Sequence, residues 1–477
     1  MSLCNNPEYS LINGQAYQSE QFVEVHNPAT GACLAKVSDT DPAGADEALA
    51  AAQETFNGLS NTTAKQRSQI LRKWFELVVE HRQELAELVT KEQGKPLSEA
   101  QGEVDYAAGF IEWYSEEAKR AYGQVIPSHT TSHQLHTIKQ GVGVVLGITP
   151  WNFPLAMITR KVAPAYAAGC SFILKPSEKT PLAALALAKL AIQAGMEKGA
   201  LQVLVTHDSK TLVSHLTESA AVRKLTFTGS TAVGSALLKQ CAETVKRTSM
   251  ELGGNAPFII FNSADVESAV SGLMAAKFRN GGQTCVAANR ILLQQDIQDK
   301  VLAALTQKVS ELKVGNGLED GVDIGPLISM AAKEKAQDLL ADALDKGAKV
   351  HYQGDALSGQ FMAPMILTGV NDSMRIYHEE IFAPIVSIID FADEQQALAL
   401  ANGVPEGLAA YFYSQDMNQI QRVSTRLEYG MIGINEGMVS NPMAPFGGMK
   451  YSGLGREGAQ EGLLEYQEVK YLCQKFE

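Results

Sequence analysis

The stretch Gly141-Val-Gly-Val-Val-Leu-Gly-Ile-Thr-Pro-Trp-Asn-Phe-Pro154 decides how this chain of 477 residues is read. Its first half is an apolar run too short for a stable helix, and it breaks at Thr149-Pro150. Such a run is a buried strand when more of its kind follow at intervals filled by helical sequence. They do follow: residues 171–174, 201–205 and 225–227 are short and apolar, and helical stretches over 156–168, 182–194 and 209–218 separate them. This alternation predicts βαβ units on a parallel sheet covered on both faces. The rhythm restarts with a strand at 258–261, a helix over 264–279 and strands at 291–293 and 385–390. Two α/β domains meeting near residues 250–255 are expected.

Upstream, the first hundred residues read as mainly helical. Asp41-Pro42 is an N-cap with proline at the first helical position, opening a helix to about Asn57. A second helix follows Thr63, with Ile70, Leu71, Trp74, Phe75 and Val78 at helical spacing, and a third carries Val104, Ala108, Ile111 and Tyr114. Residues 128–140 alternate as a projecting β-ribbon, and the tail near residues 468–471 is expected to pair with it.

Composition narrows the function. Lys and Arg number 40 against 53 Asp and Glu, a net charge of −13 without a basic cluster, so no nucleic-acid or anionic-membrane partner is expected. The six cysteines (Cys4, Cys33, Cys170, Cys241, Cys285, Cys473) have neither CxxC pairing nor histidine spacing, which predicts reduced thiols and no metal site. Residues 1–10 show no signal peptide. The most apolar stretch, 181–196, is interrupted by Lys189 and falls short of the ~20 residues of a membrane helix. A cytoplasmic protein is the expectation.

Four motifs carry chemistry. Cys285 sits in Asn280-Gly-Gly-Gln-Thr-Cys285, where paired glycines can present a thiol tightly. If a helix begins there, its dipole favours the thiolate; the plain alternative is a core cysteine. Glu251, before Gly253-Gly254, is a general base if burial raises its pKa, and otherwise an ordinary ion-paired carboxylate. Asn152, between strand and helix, suits an oxyanion donor or a turn residue. Phe227-Thr-Gly-Ser-Thr-Ala-Val-Gly234 opens a helix whose N–H groups suit a pyrophosphate, and Lys175-Pro-Ser-Glu178 suits an adenosine ribose or is a solvated pair. Singly each signal is weak.

Together they resemble the NAD(P)-dependent aldehyde dehydrogenase superfamily. The resemblance runs through Pro150-Trp-Asn-Phe-Pro154, Phe227-Thr-Gly-Ser230, Glu251-Leu-Gly-Gly254 and Gly282-Gln-Thr-Cys285. It continues in Glu379-Glu-Ile-Phe-Ala-Pro384 and Pro445-Phe-Gly-Gly-Met-Lys-Tyr-Ser-Gly-Leu-Gly-Arg-Glu457. It implies two Rossmann-like open-sheet domains: residues 1–120 and 141–253 bind cofactor, residues 254–447 carry the nucleophile, and residues 121–140 with 460–477 form an oligomerisation ribbon and tail. By position, Cys285 is the nucleophile, Glu251 the general base and Asn152 the oxyanion donor. Trp151, Lys175, Ser177, Glu178, Gly229, Ser230, Leu252, Glu380 and Phe382 hold the cofactor. The implied chemistry is aldehyde oxidation through a thiohemiacetal and a thioester.

Within the superfamily the chain is most similar to succinate-semialdehyde dehydrogenases, through Pro154-Leu-Ala-Met-Ile-Thr-Arg-Lys161, Lys277-Phe-Arg-Asn280 and Tyr451-Ser-Gly-Leu-Gly-Arg-Glu457. That implies a small anionic aldehyde clamped at its distal carboxylate by Arg160, Arg279 and Ser452. The other reading has Arg279 as a helix C-terminal cation and Arg160 in an inter-helix salt bridge. Glutarate semialdehyde, one methylene longer, stays open as substrate. Glu178 suits a ribose diol and repels a 2′-phosphate, favouring NAD with NADP possible. The resemblance also implies a homodimer or homotetramer. Ala287 stands where some relatives carry a second cysteine, so no disulfide switch is expected there, and Ala383 replaces a common glycine. A cofactor-free thiol esterase would leave the Phe-Thr-Gly-Ser loop and Glu380 idle. A silent scaffold would have no use for Cys285, Glu251 and Asn152 together.

Overall fold

The computed structural model describes residues 3, 8–355 and 357–476; Cys4 and most of the N-terminal decapeptide lie outside the described residues. Among the described residues, two open sheets dominate. The first has eight strands in the order Gln15–Ala16, Leu11–Ile12, Leu201–Val203, Ser171–Lys175, Val144–Ile148, Val222–Thr228, Arg247–Glu251 and Gly453–Leu454. Its five central strands are parallel, and antiparallel pairs close both edges. The chain steps outward from Val144–Ile148 through Ser171–Lys175 to Leu201–Val203, then crosses back to lay Val222–Thr228 on the other side. The crevice outside the ends of Val144–Ile148 and Val222–Thr228 is therefore a topological switch point, where open α/β sheets take ligands.

The second sheet has seven strands, from Lys349–Gln353 through Met365–Thr368, Ile385–Phe391, Ala288–Gln294, Ala256–Ile260 and Ala409–Tyr413 to Met431–Ile434. All but its first pairing are parallel. Only residues 252–255 separate the end of Arg247–Glu251 from Ala256–Ile260, so Glu251 lies at the seam. The chain then recrosses: Glu251 pairs with Gly453, and the Ala459–Leu464 helix packs on Ala156–Ala168.

The helices expected between the strands form at Ala156–Ala168, Pro181–Gln193 and Ser209–Glu218. Asp41 caps Pro42–Leu59 by accepting the Gly44 N–H at 3.0 Å, and Thr63 with Gln66 makes a reciprocal capping box on Ala64–Glu80. Trp74 is buried and donates Nε1–H to the Leu187 carbonyl at 3.1 Å, pinning that helix to Pro181–Gln193. The first hundred residues are less helical than expected. Phe22–His26 pairs with Cys33–Ser38 as a hairpin, and Leu11–Ile12 joins the first sheet. Val23 and Val25 alternate with exposed neighbours, a period of two that composition obscured. A further helix, Arg82–Gln93, also escaped the reading.

The ribbon forms. His133–Gly141 pairs with Gln467–Lys475 on one side and with Gln124–Ile126 on the other, with Tyr471 opposite Thr137. Among the described residues no helix is long and apolar enough to cross a membrane, and Cys33, Cys170, Cys241, Cys285 and Cys473 are free thiols.

Candidate active site

The thiol is placed by a reversal of the chain. After the helix Val266–Phe278, Asn280 (φ 53°), Gly281 (φ 60°) and Gly282 (φ 81°) follow one another in the left-handed region. At Gly282 a Cβ would stand 2.5 Å from the Ala383 carbonyl oxygen, so only glycine fits. Cys285 then lies in a turn closed by the Ala287 N–H on the Thr284 carbonyl (3.1 Å), leading into the Ala288–Gln294 strand. No helix starts there, which corrects the expected dipole assistance. Burial pushes the Cys285 thiol up to about 12, with Arg160 opposing it. At neutral pH this burial favours the protonated thiol.

Asn152 is buried on the loop between Val144–Ile148 and Ala156–Ala168. Its Nδ2 donates to the Gln283 carbonyl at 3.1 Å, two residues before the thiol. An amide nitrogen carries two hydrogens, so one remains for an oxyanion. Glu251 is also buried, and its Oε2 makes no hydrogen bond. A Cβ at Gly447 would come within 2.9 Å of Oε1, so the bare glycine makes room for this carboxyl group. Burial first, and the Glu457 carboxylate second, hold Glu251 well above the usual carboxylate range.

Beside the thiol loop is a cavity of about 290 Å³, lined by Glu99, Tyr106, Phe153, Arg279, Met438 and Ser440 among others. The Arg279 guanidinium lies 5.0 Å from the Phe153 ring centroid and donates to the Met438 sulfur at 3.7 Å. Burial lifts Glu99 to about 6, and its Oε2 accepts the Asn280 N–H at 2.7 Å. Arg160 sits behind this wall, 1% exposed. It lies 4.3 Å from the Phe446 ring centroid and is ion-paired with Glu457, which also binds Lys161. Its Nη1 and Nη2 have no hydrogen-bond partner, and neither has the Tyr106 hydroxyl, which faces Arg160 and Ser440. Burial disfavours the charge on Arg160, but Glu457, Tyr106, Glu251 and Cys285 outweigh it and raise the pKa.

Ser452 is not at this cavity, which corrects its assignment to the clamp. It is fully buried, donates to the Gly253 carbonyl at 2.8 Å and accepts the Gly407 N–H at 2.8 Å, so its hydroxyl is committed to the seam between the sheets. The serine at the cavity is Ser440, in Met438-Val-Ser-Asn441, a loop outside the motifs used above. Tyr106 was also missed. It stands on the helix Leu97–Glu117 two positions after Val104, off the face that Val104, Ala108 and Ile111 share, and nothing in its neighbours marks it.

On the other side of Cys285, a second cavity of about 290 Å³ is walled by Trp151, Gly229, Ser230, Leu252, Glu380 and Phe382. Trp151 and Phe382 meet edge to face at 5.9 Å. Glu380 accepts the Gly254 N–H at 3.2 Å, and burial lifts its carboxyl to about 7. The Gly229 N–H is already spent on the Glu251 carbonyl at 3.0 Å, so it cannot reach an anion. Ser230 caps Thr231–Ala242, and that helix's first turn supplies the free donors. Further along is an apolar slot of about 510 Å³ between Ile148, Val213, Phe227, Val233 and Leu237, with Lys175 on its rim. Lys175 and Glu178 form an ion pair at 3.6 Å. Ser177 lines neither cavity and holds the turn, accepting the Lys179 N–H at 3.3 Å. A flat apolar slot, a helix N-terminus and an acidic chamber ending at a thiol suit the adenine, pyrophosphate and nicotinamide ribose of a dinucleotide in turn.

Comparison with known proteins agrees. Residues 15–472 match the aldehyde dehydrogenase family model. The chain is 50% identical to the succinate-semialdehyde dehydrogenase [NADP(+)] of Escherichia coli K12, over 98% of this chain and 97% of that protein. It is 49% identical to the glutarate-semialdehyde dehydrogenase of Pseudomonas putida, over 98% and 97%. An aldehyde dehydrogenase structure from Brucella melitensis biovar abortus 2308 superposes with a TM-score of 0.98 at 49% identity, covering 100% of this chain and 98% of that one.

Proposed function

The chain belongs to the aldehyde dehydrogenase family and is an NAD(P)-dependent aldehyde dehydrogenase, and we propose that it oxidises succinic semialdehyde to succinate, with NAD preferred. The observation behind this reading is a cationic cavity with unpaired donors behind it: the Arg279 guanidinium at its wall, and beyond it the Tyr106 hydroxyl and the two nitrogens of Arg160 that have no partner among the described residues. Buried donors left unpaired are costly, and a carboxylate supplies the missing acceptors by charge-assisted bonds.

At the reacting end, the Cys285 thiol gives its proton to water, and the sulfur forms a bond to the aldehyde carbon as the carbonyl π bond breaks. The oxyanion that forms takes the second Asn152 amide hydrogen and the Cys285 backbone N–H. A bound nicotinamide would supply the hydride acceptor that conversion of the thiohemiacetal to a thioester needs. Glu251, kept neutral by burial until it ionises, takes a proton from water, and the hydroxide attacks the thioester carbon to release the acid and the thiol. Trp151, Leu252, Glu380 and Phe382, which line the cavity beside Cys285, would hold the nicotinamide end, and Lys175 and Glu178 would hold the adenosine ribose. The Glu178 carboxylate favours a free 2′-hydroxyl over a phosphate.

Glutaric semialdehyde is the second reading, supported by the 49% identical relative; one methylene shifts selectivity by only ~1–3 kcal/mol. The test is kcat/KM for succinic semialdehyde, glutaric semialdehyde and butyraldehyde with NAD and with NADP. A strong preference for the shorter anion with NAD supports the proposal, and equal rates on butyraldehyde remove it. The ribbon leaves Val469 and Tyr471 exposed on one face and Val125 on the other, apolar surface suited to further copies of the chain, and a homodimer or homotetramer, in the cytoplasm, is inferred. A monomer by light scattering would contradict that.

A further inference from the structure

Asn152 acts through its side chain, yet its peptide is held by residues of the thiol loop and of the turn before the helix that also lines the distal cavity. The Asn152 carbonyl accepts two buried donors, Lys95 Nζ at 2.8 Å and Asn280 Nδ2 at 3.0 Å. The Lys95 side chain is wholly buried, pairs with Glu103 Oε2 at 2.6 Å and stands 3.8 Å from the Phe153 ring centroid. Glu103 Oε1 in turn accepts the Leu155 N–H at 2.8 Å, so the Lys95–Glu103 pair grips the loop at residue 152 and again at residue 155. Gln93 accepts the Lys95 N–H at 3.0 Å and donates to Asn280 Oδ1 at 3.0 Å. Asn280 Nδ2 also approaches the Gln283 carbonyl at 3.3 Å, the acceptor that Asn152 Nδ2 uses. The turn before Leu97–Glu117 thus ties the oxyanion loop of one domain to the thiol loop of the other.

Burying an ammonium is expensive, and apolar residues of similar volume often serve stability as well or better. Geometry is what this one provides. A displaced carbonyl at residue 152 turns the whole peptide, and the side-chain amide turns with it. We propose that Lys95 and Asn280 are positioning residues that hold the Asn152 peptide and thereby aim its amide at the oxyanion, without touching substrate. The proposal rests on Asn152 being the oxyanion donor.

Two variants test it, each made in the wild-type and the Asn152→Ala background. Lys95→Met with Glu103→Gln removes both charges at once and keeps the acceptor for Leu155. Asn280→Gly removes the second donor at a φ of 53° that glycine adopts freely, and so tests the same peptide should the first variant fail to fold. In the wild-type background, kcat is expected to fall about 10- to 100-fold, the scale of a misplacement near 1 Å. KM for NAD and for butyraldehyde should change less than about threefold, since ground-state binding is untouched. In the Asn152→Ala background no further loss is expected, because there is no amide left to aim. Full kcat in folded variants, or losses that multiply with that of Asn152→Ala, overturns the proposal. An Asn152→Ala enzyme with undiminished kcat would instead overturn the oxyanion reading beneath it.

Discussion

The surroundings of Cys285 and of the Arg279 cavity are built differently. At the thiol end the donors that fix the loops are paired, while two oxygens, Asn152 Oδ1 and Glu251 Oε2, are free among the described residues. Gln283 alone donates to the Asn280 and Pro326 carbonyls and accepts the Ile328 N–H, and the Asn152 carbonyl takes two donors. At the distal end, the Tyr106 hydroxyl and two nitrogens of Arg160 have no partner. A catalytic end must hold its donors still before the substrate arrives, because misalignment costs rate. A recognition end is completed by the ligand itself, and leaving donors unpaired penalises any aldehyde that cannot satisfy them. The contrast predicts that damage at the thiol end appears in kcat for every aldehyde, and damage at the distal end only for anionic ones.

The largest effect is expected from Cys285→Ala, which should lower NADH formation on the order of 10⁴-fold or more for charged and uncharged aldehydes alike. Burial raises both the Cys285 thiol and the Glu251 carboxyl, so each is protonated to a higher pH than usual. Their reactive forms are deprotonated, so kcat/KM should climb as the pH rises above neutrality towards the value of about 12 of the thiol. A profile that falls across that window would contradict the assignments. Next comes Asn152→Ala, expected to lower kcat by about 10²–10³-fold for both aldehyde classes. A loss confined to succinic semialdehyde would erase the distinction between the two ends.

Smaller and more selective effects belong to the arginines. Removing Arg279 should cost ~1.5–3 kcal/mol in kcat/KM for the semialdehyde, the worth of a charged hydrogen bond, and leave butyraldehyde within about threefold. Arg160→Ala should show the same selectivity but also lower the melting temperature, because Glu457 then keeps only Lys161. Breaking a buried pair costs ~3–5 kcal/mol, and the remaining lysine puts this one at the lower end. The smallest effects separate two serines. Ser452→Ala should lower stability by ~1–3 kcal/mol through its unpaired partners and leave selectivity alone, whereas Ser440→Ala should change the aldehyde preference and not the melting curve. Thermal melts beside the two-substrate assay read both.

Much of the fold was legible because parallel strands buried on both faces are short continuous apolar runs, and helices must fill the gaps between them. The strands at Val144–Ile148, Ser171–Lys175 and Val222–Thr228 announce themselves in this way. The hairpin of Phe22–His26 and Cys33–Ser38 did not, since a half-exposed alternation is easily lost beside Ala-rich helices. Asn152, Glu251 and Cys285 stood out as candidates because the glycines and prolines around them mark bends that few other residues make. Ser452 was misplaced for the same reason. It stands in a conspicuous Gly-rich motif whose work is to join the sheets, while Ser440 reaches the cavity from an unmarked loop.

The chain by itself therefore determined the α/β architecture, the family and the residues beside its sharp turns, because these depend on local periodicity and backbone freedom. Tertiary structure alone decided which side chains converge. Lys95 meets Asn152 across 57 positions and Lys161 meets Glu457 across 296, and such meetings are set by how the helices and the two sheets pack. It also decided the protonation of the thiol and of Glu251, because burial is a property of the folded molecule and of no residue read alone.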